Sequence, residues 1–183
     1  MPLVEQKRFI GYELGLLTIK AALSTRDRNY TIYKKTVKDH QRRPVKNAIR
    51  NVLTEIENKY DTMLSEEEHV QFILNTANKL TDNIGQYLRN EEFRIGITQK
   101  LINMHLKYLW CSGVVSEPPH CPIDGIIRDK VKVEYPKFNY DWISSNSIED
   151  YTSAVATLHQ QAESKSQTIA QWELREFRRR DDV

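Results

Sequence analysis

Lys100 and Asp124 bring an amine and a carboxylate, residue types that could do chemistry, to one stretch of the chain. Lys100 lies in QKLINMHLKYL, inside a run from 97 to 110 that is apolar almost all the way round, and Asp124 follows in PPHCPIDGII after a Pro-rich turn. An amine in apolar, partly desolvated surroundings is held toward its neutral, nucleophilic form, and a nearby carboxylate stabilises positive charge developing on the attacked carbon. At 3.6 residues per turn, Ile97, Leu101, Met104 and Tyr108 form one seam, and Gln99, Lys100, Asn103 and Lys107 fall roughly opposite, flanked by Leu106 and Trp110. That polar strip reads in two ways. It is either the solvated edge of a buried helix, its lysines reaching water along their stems, or the wall of a site.

Other chemistry-bearing residues are less well spaced. His105, Cys111, His120 and Cys121 are zinc-ligand types, but His105 and Cys111 are six apart on one helix and point about 240° apart. Adjacent His120 and Cys121 seldom share a metal or act as a nucleophile and base, so neither a metal nor any other cofactor is expected. The segment from Arg26 to Arg50 holds Arg26, Arg28, Lys34, Lys35, Lys38, Arg42, Arg43, Lys46 and Arg50 against only Asp27 and Asp39. It reads as a solvated face or, with Tyr30 and Tyr33 interleaved, as a surface that neutralises phosphates.

The order Phe93, Arg94, Ile95, Gly96, Ile97, two polar residues, Lys100 and then an apolar helix resembles a helix-hairpin-helix. In such a hairpin, a tight turn aims backbone N–H groups at a DNA phosphate. With Pro-Ile-Asp ending at Asp124, 24 residues beyond Lys100, the stretch resembles the helix-hairpin-helix base-excision DNA glycosylases, in particular the branches that recognise 8-oxoguanine. The likeness runs from Phe93 to Asp129, roughly a fifth of the 183 residues. It implies a helix-hairpin-helix glycosylase-like fold, with Lys100 as nucleophile, Asp124 as the essential carboxylate and double-stranded DNA as partner. Gly96 and Thr98 would serve as hairpin residues near a phosphate, Thr98 standing where a second glycine is usual. Lys34, Lys35, Arg42, Arg43 and Lys107 would contact the DNA backbone. A flipped base would stack on an aromatic group such as Tyr108, Trp110, Trp142 or Trp172. Gly125 and Ile126 stand where many members have Thr and His, and the cysteines of the iron-sulfur branches are absent.

These residues must be carried by helices. Hydrophobic content of 39%, 28% charged residues and only 6 Gly and 6 Pro describe an all-α, compact, single-domain multi-helix fold spanning 1–183. Leu3, Val4, Phe9, Ile10, Leu14, Leu17 and Ala21 predict an amphipathic first helix, ending near Ser24, that packs on the body by that face. Pro44 opens a second helix with Val45, Ile49, Val52, Leu53 and Ile56. Ser65 with Glu68 is a capping box for a third, carrying Val70, Ile73, Leu74, Ala77 and Leu80. A short element, Asp82 to Leu88, leads to the central helix over 97–110. Another helix opens at 122–124, VKVEYPKFNYDW reads as an irregular connection, and Ser147 and Ser166 start the last two.

Net charge of +2 decides little, because 27 basic and 25 acidic residues nearly cancel. Two cysteines suit a reducing compartment, and a cytoplasmic protein with no membrane partner is expected, since Glu5, Lys7, Arg8, Glu13 and Lys20 interrupt the apolar N-terminus. The alternatives to an enzyme are a non-catalytic helical DNA-binding protein and a helical protein-interaction module acting through apolar faces.

Overall fold

The computed structural model describes residues 4–24, 30–60 and 62–177; Leu3, Arg26, Asp27, Arg28 and the terminal RRRDDV lie outside them. The described residues are helical: α1 (Val4–Leu23), α2 (Arg43–Lys59), α3 (Glu66–Ile84), α4 (Ile95–Cys111), α5 (Gly125–Glu134), α6 (Ile148–Glu163) and α7 (Ile169–Glu176). Among them there is no strand, only an isolated antiparallel bridge between Tyr33 and Leu88, and no helix is long and apolar enough to cross a membrane.

The helix starts follow from capping. The Ser65 hydroxyl accepts the Glu68 N–H and the Glu68 carboxylate accepts the Ser65 N–H, closing the expected box. Ser147 caps α6 through the Asp150 N–H. The last helix is capped by Thr168, two residues later than Ser166, which adopts a left-handed conformation (φ 53°) incompatible with a cap. Two other boundaries differ from the sequence expectation. Helix α3 absorbs Asp82 and runs to Ile84, so no separate element spans 82–88; a 3₁₀ turn, Gly85–Tyr87, follows it. Helix α5 absorbs VKVE because Ile127 and Val131, one turn apart, both reach the core, and this outweighs the local alternation.

Helix α4 is the axis of the molecule. Every residue from Ile95 to Lys107 is buried, and α1, α2, α3 and α6 pack around it. The polar strip on α4 is therefore no solvated edge. Helix α1 packs by a face other than the one its apolar spacing suggests. Gly11, Gly15, Thr18, Ile19 and Ala22 are buried, whereas Phe9, Ile10, Tyr12 and Leu17 are exposed. A helix with two apolar faces gives the periodicity no way to choose between them. The small-residue face wins because it lets α1 approach Leu53 and Glu57 of α2 closely.

The connection from α3 to α4 turns through Asn90 (φ 57°) and Glu91 (φ 61°), and Gly85 is required because a Cβ there would lie 2.5 Å from the Glu91 carbonyl oxygen. Gly96 is not in this turn. It lies in the first turn of α4, pressed against the backbone of the 140–146 segment. The four N-terminal amides of α4 are all occupied: Ile95 donates to Asn146 Oδ1, Gly96 to the Ser145 carbonyl, and Ile97 and Thr98 to the Arg94 carbonyl. A Cβ at Gly96 would overlap the Trp142 carbonyl, so backbone rather than a flexible side chain must move. Gly96→Ala is expected to cost about 2–3 kcal/mol through overpacking and to lower Tm by roughly 5–10 °C in a thermal melt. An unchanged Tm would mean that the 140–146 segment yields freely.

Candidate functional site

The strip on α4 grips the Pro-rich connection by its main chain. The Gln99 side-chain N–H2 donates to the Ile123 carbonyl (2.8 Å), while its Oε1 accepts the Ile123 N–H (3.1 Å), so one amide satisfies both backbone groups of Ile123. One turn on, Asn103 Nδ2 donates to the Cys121 carbonyl (3.0 Å). Residues 121–123 are buried and outside any helix, so their polar backbone groups need such partners.

This grip sets the start of α5 against α4. Asp124 caps α5, its Oδ1 accepting the N–H groups of Ile126 and Ile127. Its other oxygen, Oδ2, lies 3.9 Å from Lys100 Nζ, and the ammonium sits 3.8 Å from the centroid of the Trp142 ring. The structure thus brings Lys100 and Asp124 together, with side-chain exposures of 8% and 13%. Trp142 is the aromatic partner of this pair; Trp172 is a fully buried core residue, and Tyr108 and Trp110 are half-buried on α4.

Lys107 has a different fate. It is buried, with Nζ 2.8 Å from Glu173 Oε1 and 4.3 Å from the Phe177 ring centroid. Burial raises the Glu173 carboxyl above its ordinary range, and Lys107 opposes the rise. A side chain so engaged inside the molecule does not present its charge to a DNA backbone. Gly96 and Thr98 are corrected on similar grounds. The Gly96 N–H is held by Ser145, and Thr98 is fully buried with its hydroxyl donating to the Arg94 carbonyl (2.9 Å), so neither offers a phosphate a donor.

The described part of the basic run, from Lys34 to Arg50, keeps its cations at the surface. Backbone bonds from Lys34 N–H to the Tyr87 carbonyl and from Arg89 N–H to the Ile32 carbonyl tie it to the turn before α4. Lys34 pairs with Glu91 (2.6 Å), and Arg42 pairs with Asp39 (2.8 Å) and stacks on Tyr33 (4.5 Å). Lys35, Arg43, Lys46 and Arg50 are exposed.

A second polar centre adjoins the first through Asn103. His69 Nε2 lies 2.8 Å from Asn103 Oδ1, which only accepts, so His69 carries its proton on Nε2, and its Nδ1 accepts the Tyr60 hydroxyl. The Tyr151 oxygen accepts from Asn103 (3.1 Å) and lies 2.7 Å from His120 Nδ1, and the His69 and His120 rings meet edge to face at 4.6 Å. Burial lowers His69 to about 4 against a partial upward pull from its bond to Asn103, and burial with the neighbouring His69 holds His120 well below its ordinary value. Burial likewise pushes the Cys121 thiol up, which removes it as a nucleophile, and Cys111 is exposed at the end of α4. His105 faces Thr18 and Glu57.

Sequence reasoning misses the buried polar partners His69, Tyr60 and Tyr151. A signal exists for one of them: His69 shares a helical face with Phe72, Ile73, Thr76 and Leu80, and a histidine on a buried face needs partners. A concavity of about 830 Å³ forms a groove beside α6, lined by Tyr140, Asp141, Ser144, Ser145, Asp150 and Thr157 among others. It borders Trp142 in sequence but does not include Lys100 or Asp124.

No family model matches the chain, and neither a curated protein nor a solved structure is similar to it.

The low folded-state pKa of His69 has a consequence for stability. The unfolded histidine titrates near 6.5, so between pH 6.5 and about 4 the unfolded chain binds the proton and the folded one does not. Stability is therefore complete above about pH 7 and declines as pH falls, by about 2 kcal/mol from His69 alone between pH 7.5 and 5. His120 adds in the same direction. Urea unfolding at the two pH values measures this, and equal midpoints would show that His69 is protonated in the folded state.

Proposed function

We propose that the protein is a base-excision enzyme of the DNA glycosylase type, with Lys100 as the nucleophile and Asp124 as its carboxylate partner, acting on double-stranded DNA bound along the basic run. The single observation that carries this reading is the convergence of the two residues. Lys100 Nζ lies 3.9 Å from Asp124 Oδ2, although they come from different elements 24 residues apart, and an aromatic ring faces the amine.

The chemistry follows from that arrangement. The unprotonated Lys100 amine attacks C1′ of the damaged nucleotide, the C1′–base bond breaks, and the base leaves with the bonding electrons and takes up a proton. Asp124 Oδ2 faces the amine and accepts the proton it sheds, while Oδ1 stays on the Ile126 and Ile127 amides and fixes the carboxylate. Opening of the sugar-ring bond then leaves a Schiff base between Lys100 and the opened sugar. The low exposure of both side chains favours one second reading, in which the pair is an internal strut and the protein binds DNA without chemistry.

Borohydride reduction separates the two. With duplexes carrying one modified base, the protein is expected to be locked onto DNA as a stable adduct. Lys100→Gln should abolish trapping, and Lys79→Gln, on the exposed surface of α3 where it pairs with Glu55, should keep it. Asp124→Asn retains the cap, because Asn caps about as well as Asp, but should slow base release about 100-fold or more. Trapping that survives Lys100→Gln, or its absence on every modified duplex offered, defeats the enzyme reading.

DNA binding by the basic run has its own measurement. Replacing the exposed Lys35, Arg43, Lys46 and Arg50 together by Gln should weaken duplex binding across sequences and reduce the slope of log K against log salt by about 0.9 for each phosphate that is no longer neutralised. A slope equal to that of the unaltered protein removes this segment from the interface.

A further inference from the structure

A group of side chains outside the Lys100 pair converges at the junction of three elements. Glu66 is the first residue of α3, His120 belongs to the Pro-rich connection, and His159 lies in the last turns of α6. One ligand atom from each comes within 4.8 Å of the others. Glu66 Oε1 and His159 Nε2 are 2.8 Å apart, yet His159 Nε2 has no partner in hydrogen-bond geometry. His120 Nε2 is also without a partner, on a side chain only 1% exposed. A buried ring nitrogen left bare is costly unless something binds it.

We propose that Glu66, His120 and His159 bind one divalent first-row transition cation, zinc foremost, with a fourth position open to water. Two imidazoles and a carboxylate select such a metal over calcium or magnesium, which prefer oxygen ligands. Tetrahedral bonds of about 2.0–2.1 Å separate ligand atoms by about 3.3 Å, so the Glu66–His159 pair must open slightly from 2.8 Å while the wider separations, up to 4.8 Å, close. Glu66, with its side chain 54% exposed, has the rotamer freedom to do so, and the same exposure gives the ion an entry path. His120 is the fixed member. Its Nδ1 is engaged by Tyr151, and a proton donated from Nδ1 to that oxygen turns the Nε2 lone pair toward the cluster, the outer-shell arrangement that orients metal-binding histidines. The ion would join the start of α3, the connection and α6.

The test uses the untagged full chain, stripped with a chelator and dialysed against zinc chloride. One equivalent of zinc per chain is expected by elemental analysis, with a visible ligand-field spectrum when cobalt replaces zinc and a Tm that rises with added zinc. His159→Gln and Glu66→Gln replace partly exposed side chains and should fold as the unaltered protein does by circular dichroism, while binding zinc at least about 100-fold more weakly. Cys111→Ser, which removes the exposed thiol, should bind normally. Less than about a tenth of an equivalent bound, variants that bind as tightly as the unaltered chain, or abolished binding in Cys111→Ser would each overturn the assignment.

Discussion

Two amide side chains on a buried helix, Gln99 and Asn103, hold the main chain of residues 121–123, and the arrangement around α4 depends on that grip. The connection between α4 and α5 is short of regular structure but lies inside the molecule, where an unpaired backbone N–H or C=O costs about 1–3 kcal/mol. Gln99 answers both groups of Ile123, and Asn103 answers the carbonyl of Cys121. The register is thereby fixed to within a residue, because a shift by one position would present Pro122, which has no N–H, to the Gln99 oxygen. Asp124 therefore meets Lys100, and His120 enters the core beside His69 and Tyr151.

The grip also transmits order between the two polar centres. Asn103 takes part in both: its oxygen accepts from His69, and its amide hydrogens reach Cys121 and Tyr151. Any change that turns this amide leaves His69 or the connection without a partner. In a low-dielectric interior such a vacancy is costly, which ties the helix pair α3 and α4 to the connection as one unit. The same packing explains why His69 and His120 stay neutral, since burial disfavours the charged form of both rings and His120 also faces His69 and His159.

Much of the helical skeleton is legible in the sequence, because period and capping are local. The Ser65 box, the Ser147 cap and the apolar face of α2 require only neighbouring residues to interpret. What the sequence conceals is whatever depends on which surface meets which. Helix α1 offers two apolar faces, and the choice of the small one rests on Leu53 and Glu57 of a distant helix. Gly96 reads as a turn residue, yet its reason for being glycine is the Trp142 carbonyl, 46 residues on. For the site, the juxtaposition of Lys100 with Asp124 follows from a motif-level reading, whereas which of the four candidate aromatics joins them, Trp142, and the meeting of Glu66 with His120 and His159 come from loop and helix packing that no local pattern encodes.

The polar residues of α4 divide the labour of specifying the fold. An apolar helix surrounded on all sides can rotate or slide against apolar neighbours at modest energetic loss, because hydrophobic contact is non-directional. Each polar residue on α4 removes that freedom by accepting only one set of neighbours: Gln99 takes the Ile123 backbone, Lys100 takes Asp124 and the Trp142 face, Asn103 takes His69 and Tyr151, and Lys107 takes Glu173. A rotation of α4 by one residue, about 100°, would strand two buried lysines and two amides together. The strip that the sequence allows to be either an edge facing water or the wall of a site is the set of contacts that fixes α3, the connection, the segment bearing Trp142, and α7 around one axis.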